Sequence, residues 1–166
     1  MVEKELKVLI NEQSYNKILF KWNNIINQKN YYYSDIECLL EKNNISVRIR
    51  EINKNYKLQI KKPIYNASAL HIRDEYEEFI DNIPVYIESE KIKVITGIYI
   101  GNVYQVGILT TERYICNWNK HIEICLDKNN YLGHTDYEIE IEFNNSVDNS
   151  LIEYFISNGI NFNNKA

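Results

Sequence analysis

The chain is poor in cysteine, proline and glycine, and each shortage excludes something. Its three cysteines, Cys38, Cys116 and Cys125, are odd in number and show no paired spacing. They read as free thiols in a reducing compartment, not as a disulfide frame or a zinc site. Two prolines and five glycines among 166 residues leave no linker. With no internal repeat and no low-complexity segment either, the expectation is a single domain over 1–166 with a sizeable core. No apolar run approaches a membrane span, and Met1-Val2-Glu3-Lys4-Glu5 does not read as a signal peptide. The expected setting is soluble and cytoplasmic, with no membrane partner. Excess positive charge is missing too. A net charge of −4 argues against general nucleic-acid binding, which draws on a basic surface. An acidic chain can still hold a polyanion where it gathers cations locally.

What the chain has instead is alternation. Residues 2–10 place Leu6, Val8 and Ile10 on one face and Glu3, Glu5 and Lys7 on the other, the period of a strand. From about Ser14 the period becomes helical, with Tyr15, Ile18, Leu19, Trp22, Ile25 and Ile26 predicting an amphipathic helix over 14–27. Aromatic Asn30 to Asp35, then Ser46 to Arg50 and Tyr56 to Lys61, read as strands, the last two joined by a turn at Asn53-Lys54-Asn55. Residues 71–79 alternate less cleanly. A short helix is expected over 84–95, and strands over 102–116, 122–127 and 137–143. The stretch from Asp127 to His134 reads as a loop. Asp148 or Asn149 would cap a last helix through Leu151, Ile152, Phe155 and Ile156, with Gly159 at its stop. Successive short strands joined by turns imply an antiparallel sheet, and one this extensive closes or folds over. The fold class is therefore α+β, mainly β, or a barrel flanked by helices.

The charged faces segregate by sign. Glu3 and Glu5, and the column Glu138, Glu140 and Glu142, are acidic; Arg48, Arg50, Lys57 and Lys61 are basic. A strand with apolar residues inward and charge in water gives the same pattern, and opposite charges on neighbouring strands help any sheet by about 0.2–1 kcal/mol per pair. Three like charges in a column repel unless something neutralises them. Spacing alone leaves both readings open.

The motifs resemble those of the CYTH superfamily, the triphosphate tunnel metalloenzymes. Glu3-Lys4-Glu5-Leu6-Lys7 is similar to the family's ExExK signature, at the N-terminus where the family carries it. Val47-Arg48-Ile49-Arg50-Glu51 resembles its RxR strand, and Leu58-Gln59-Ile60-Lys61-Lys62-Pro63 its L-T-L-K-x-P strand. Arg73-Asp74-Glu75-Tyr76-Glu77 resembles R-x-E-x-E, and Leu109 to Arg113 the strand with the late arginine. Ile124 to Asp127 and Tyr137 to Glu142 complete the set, which runs to about Gly159 and looks closest to the compact bacterial branch. Gln59 departs from a common threonine, Thr111 stands where some members carry a base, and three glutamates end the pattern where two suffice.

The resemblance implies an eight-stranded antiparallel β-barrel whose charged face lines a tunnel, with helices over the apolar outer face. It implies a substrate bearing a triphosphate: inorganic triphosphate, thiamine triphosphate or ATP. Lys7, Arg48, Arg50, Lys57, Lys61, Arg73 and Arg113 would grip the phosphates, since Arg suits bidentate contacts and Lys a point charge. Glu3, Glu5, Glu138, Glu140, Glu142 and Asp127 would hold Mg²⁺ or Mn²⁺, with Glu140 and Glu142 preferred within the triplet. Lys7, Glu75 and Glu77 are the expected catalytic side chains. Glu123 divides evenly between a functional role and balancing the arginines. His71, His121 and His134 show no ligand spacing. The expected activity is a metal-dependent triphosphatase. Its alternatives are a class IV-type adenylate cyclase, a thiamine triphosphatase and, in another class, a polyphosphate- or nucleotide-binding module without turnover. Monomer and homodimer are both open.

Overall fold

Strands that alternate between apolar and charged residues need two different environments, and here the sheet separates them by closing on itself. The computed structural model describes residues 1–19 and 24–162. In chain order come β1 (Val2–Ile10), α1 (Glu12–Leu19), β2 (Asn24–Ser34), α2 (Leu39–Lys42), β3 (Ser46–Ile52), β4 (Asn55–Ala67) and β5 (Leu70–Ile80). Then follow β6 (Tyr86–Ile87), α3 (Ser89–Thr96), β7 (Val103–Asn119), β8 (Ile122–Tyr131), β9 (His134–Phe143) and α4 (Asn149–Ser157). The spatial order is β2-β3-β4-β5-β1-β9-β8-β7, and β7 pairs back onto β2. That makes a closed eight-stranded antiparallel barrel, the mainly β, α+β architecture expected, with two-residue β6 added beside β7.

The apolar cores lie outside this barrel. On one side Val8, Ile122, Ile124, Ile139 and Ile141 are buried beneath Tyr15 and Ile18 of α1 and Leu151 and Phe155 of α4, with Leu6 packed at the margin. On the other, Val47, Ile49, Leu58 and Ile60 are buried with Tyr31 and Tyr33 under Leu40 of α2 and Ile92 of α3. Because successive side chains leave a strand on opposite faces, covering the apolar face drives every second residue inward. The interior therefore receives the charges.

Three expectations need correction. The helix expected over 14–27 spans only Glu12–Leu19; Ile25 and Ile26 belong to β2, opposite Tyr114 and Arg113 of β7, and Trp22 lies outside the described residues. Ladder pairing to a distant strand overrides the helical spacing there. The helix over 84–95 begins only at Ser89, since Tyr86 and Ile87 are taken up by pairing with Tyr104 and Val103. The loop expected from Asp127 to His134 is mostly strand: Lys128 to Tyr131 pair with Tyr137 to His134. Only Leu132 and Gly133, both at positive φ, turn the chain. The short α2 was not anticipated. Asp35 anchors it by accepting from the backbone N–H groups of Leu39 and Leu40.

Elsewhere the element types hold. Asp148 sits at the N-cap of α4 without a side-chain capping bond; its carboxylate accepts instead from Trp118 Nε1 at 3.2 Å. Gly159, at φ +85°, follows α4 as the left-handed stop expected of it.

Candidate active site

A cavity of about 480 Å³ runs into the barrel, opening beside Met1 and the β3–β4 turn at Asn53. All four arginines of the chain line it, and basic and acidic side chains line it in equal number. Their positions follow from strand registry. Glu3 faces Arg73 across β1–β5, while Glu5 faces Glu142 and Lys7 faces Glu140 across β1–β9. Glu142 in turn faces Glu123, and Glu138 faces Asp127, across β8–β9. Arg48 faces Gln59 and Arg50 faces Lys57 across β3–β4; Gln59 faces Glu77 and Lys61 faces Glu75 across β4–β5. Every residue proposed from the sequence thus points inward. Thirteen of them border the cavity, while Asp127 and Glu138 lie just behind its wall.

The cations divide by partner. Lys61 Nζ donates to both oxygens of Glu3, at 2.8 and 2.9 Å, and stands 4.0 Å from Glu75. Arg73 Nη2 donates to Glu5 and, at 3.4 Å, to Glu3. Arg113 forks onto Asp127 at 2.8 and 2.7 Å and reaches Glu140 at 2.9 Å. Lys7 Nζ lies 3.0 Å from Glu140 and 3.9 Å from Glu138, and Lys57 Nζ 3.3 Å from Glu77. Arg48 and Arg50 differ. Neither has a carboxylate within ion-pair distance among the described residues; Arg48 Nε donates to Gln59 Oε1 at 2.8 Å and Arg50 Nε to Asn30 Oδ1 at 2.9 Å. Burial, with Arg48 and Arg113 close by, pushes Arg50 down to about 9. Two mutually repelling guanidinium groups in a semi-enclosed cavity, without a counter-ion, form a ready anion site.

The carboxylates divide too. Burial works to raise Glu140, but Arg113 and Lys7 outweigh it and hold the group well below its usual range. Lys61 and Arg73 lower Glu3 as well, against its burial. Burial and the Glu140 charge raise Glu5. Glu75, Glu138 and Glu142 are each pushed up to about 7, by desolvation first and then by neighbouring carboxylates. One oxygen from each of Asp127, Glu138 and Glu140 lies within 4.8 Å of the others, and Glu5 and Glu142 are cross-strand neighbours. Both groups offer only hard oxygen donors, which fits Mg²⁺ or Mn²⁺ better than a thiophilic metal.

Where the resemblance departs, neutral groups take over. Thr111 Oγ1 donates to Asn129 Oδ1 at 2.6 Å, and Asn129 Nδ2 donates to Asp136 and Glu138. A buried amide chain therefore backs the inner carboxylates in place of a second base. The spacing did not single out Asn30 or Asn129. Their signal is a polar residue at an inward position of a strand, visible only once the inward face is known. His121 lies in the β7–β8 turn and His134 at the start of β9; His71 Nδ1 is 3.2 Å from Asn66 Oδ1.

The family model described as the CYTH domain matches residues 1–155. The chain belongs to the CYTH family. The CYTH chain is 27% identical over 152 residues to YjbK of Bacillus subtilis (strain 168), named as a candidate triphosphatase, covering 85% of this chain and 77% of that protein. Among solved structures it resembles HpAC1 from Hippeastrum, a candidate adenylyl cyclase described as having a dominant triphosphatase activity. The TM-score is 0.70 at 18% identity, over 95% of this chain and 88% of that one. A candidate adenylate cyclase of Bacillus halodurans gives 0.68 at 20%, over 95% and 89%. The Mimivirus capping enzyme triphosphatase gives 0.57 at 14%, over 95% and 87%. At these identities the structural likeness speaks for the fold alone.

Proposed function

We propose that this CYTH chain is a divalent-metal-dependent triphosphatase that hydrolyses the terminal phosphoanhydride of inorganic triphosphate or of an organic triphosphate. The observation that carries the reading is the pair Arg48 and Arg50, lining the cavity and without a carboxylate partner among the described residues. Every other cation of the cavity wall already has a carboxylate partner, so these two favour an incoming anion most. Their free terminal nitrogens suit non-bridging phosphate oxygens, and Lys57 and Lys61 on the adjoining strand add point charges. Across the cavity, Glu3, Glu5 and Glu142 would hold Mg²⁺ or Mn²⁺, with Asp127, Glu138 and Glu140 as a second carboxylate set. When bound, the ion neutralises phosphate charge and polarises the reacting centre.

This chain's residues account for the rest. Water attacks the terminal phosphorus in line, the bond to the bridging oxygen breaks, and the attacking water loses a proton. Glu75 lines the cavity and titrates near 7, so it suits the acceptor of that proton. Lys7, held between Glu138 and Glu140, keeps its charge and orients the substrate from the inner wall. Glu77 braces Lys57 and Gln59.

The test is release of phosphate from inorganic triphosphate, ATP and thiamine triphosphate, with Mg²⁺, Mn²⁺ or EDTA, while cyclic AMP is followed in the ATP arm. Metal-dependent release from any of the three supports the reading and ranks its substrates. Cyclic AMP without phosphate release would replace it with the cyclase. Binding without either product would leave a polyphosphate-binding module.

A further inference from the structure

The four cavity arginines are held in two different ways. Arg73 and Arg113 rest on carboxylates, which cancel their charge. Arg48 and Arg50 rest on carboxamides, which fix them through one hydrogen bond each and leave the charge intact. The bond goes to Nε in both cases, so both terminal nitrogens of each guanidinium stay available.

The orientation of these amides is determined by their neighbours. Arg48 Nε–H can only donate, so Gln59 must turn its oxygen toward it. The Gln59 nitrogen then donates to Glu77 Oε1 at 2.8 Å, which a flipped amide could not do. Arg48, Gln59 and Glu77 are direct partners across β3, β4 and β5, so this is one hydrogen-bonded row through three strands. Arg50 and Asn30 are likewise direct partners across β3 and β2. Both amides are buried, at 4% exposure for Gln59 and 1% for Asn30. Gln59 is the position at which the sequence departs from a common threonine, whose single short hydroxyl would not span from Arg48 to Glu77.

We propose that Asn30 and Gln59 are positioning residues that aim the Arg48–Arg50 pair at a polyphosphate while leaving it uncompensated, with Glu77 acting through Gln59. The inference rests on the triphosphatase reading for the identity of the anion. The amide is decisive because the alternatives fail in opposite ways. A carboxylate at either place would hold its arginine more strongly and cancel the charge the substrate needs. An aliphatic residue would leave the charge but release the side chain to other rotamers. The arrangement thus trades stability of the empty protein for affinity.

That trade gives the test. Asn30→Asp is isosteric and supplies Arg50 with a counter-ion. Inorganic triphosphate binding is measured by calorimetry in EDTA, KM and kcat in Mg²⁺, and the thermal midpoint without ligand, all on the full chain. The expected result is binding and KM weakened by about tenfold or more, kcat within about threefold, and a midpoint equal to or above the parent's. Asn30→Leu and Gln59→Met, which remove the acceptor without adding charge, are expected to weaken binding less and to lower the midpoint. Affinity within twofold of the parent in Asn30→Asp would overturn the proposal. So would equal weakening by Asp and Leu with the midpoint lowered in both, the mark of a packing role. A parent that binds no triphosphate would instead sink the triphosphatase reading beneath it, before any variant is compared.

Discussion

At the scale of single residues, the cavity is a matter of which charges are cancelled. Glu140 meets Lys7 and Arg113 together, and it is the acidic group most firmly held in its ionised form. Removing it leaves two enclosed cations short of a partner, although Arg113 keeps Asp127 and Lys7 keeps a distant Glu138. Glu140→Ala is therefore expected to destabilise the metal-free protein by about 3–5 kcal/mol in urea unfolding. A loss under about 1 kcal/mol would show that the charges around Glu140 are solvated, and the electrostatic account of the inner wall would go with it. The sequence displayed Glu140 plainly, because three glutamates at a spacing of two are hard to miss. It did not display Asn30, which sits beside three tyrosines in a strand whose inward face no local pattern marks. Gln59 was visible as a departure from a motif, but its part in holding Arg48 depends on Glu77, eighteen residues away.

At the scale of elements, the helices act as lids on the outside of the strands. Phe155 of α4 is 1% exposed and packs against the barrel strands on one side and Tyr154 and Phe162 on the other. Phe155→Ala is expected to cost about 3–5 kcal/mol, with the loss read as a lower urea midpoint at unchanged m-value. A change within about 1 kcal/mol would mean that α4 contributes little to the core. Strand alternation was legible for β1, β3, β4 and β9 because one face of each is largely apolar, as with Leu6, Val8 and Ile10 of β1. The helix through Ile25 and Ile26 was misjudged for a physical reason: apolar residues at helical spacing also satisfy a strand when β7 offers eleven partners to β2. Likewise the segment Lys128-Asn129-Asn130 looked like a loop, since its Asn and Lys residues are poor strand formers. Pairing with β9 and the side-chain bonds of Asn129 outweigh that local preference.

For the whole molecule, closing the sheet sets carboxylates against one another, Glu5 beside Glu142 and Glu142 beside Glu123. Glu75, Glu138 and Glu142 titrate near 7 in the fold against 4.5 ordinarily, so the folded protein binds protons that the unfolded chain has released. Their contribution is complete below about 4.5 and is lost as pH rises through about 7. Glu3 and Glu140 run the other way and lose their contribution only on acidification below about 4.5. The thermal midpoint of the metal-free protein should therefore fall between about pH 5 and pH 7.5, and Mg²⁺ or Mn²⁺ should restore it most at the upper end. A midpoint that rises across that range without metal would contradict this balance of charges. The sequence by itself determined the periodicity of most strands, the sign of each charged face and the motifs that mark the family, because these are properties of residues two apart. Only the tertiary structure decided which face turns inward, where β2 begins, and which arginines remain without a counter-ion. Those outcomes depend on strands brought together from distant parts of the chain, where registry sets each side chain against a partner that no local pattern identifies.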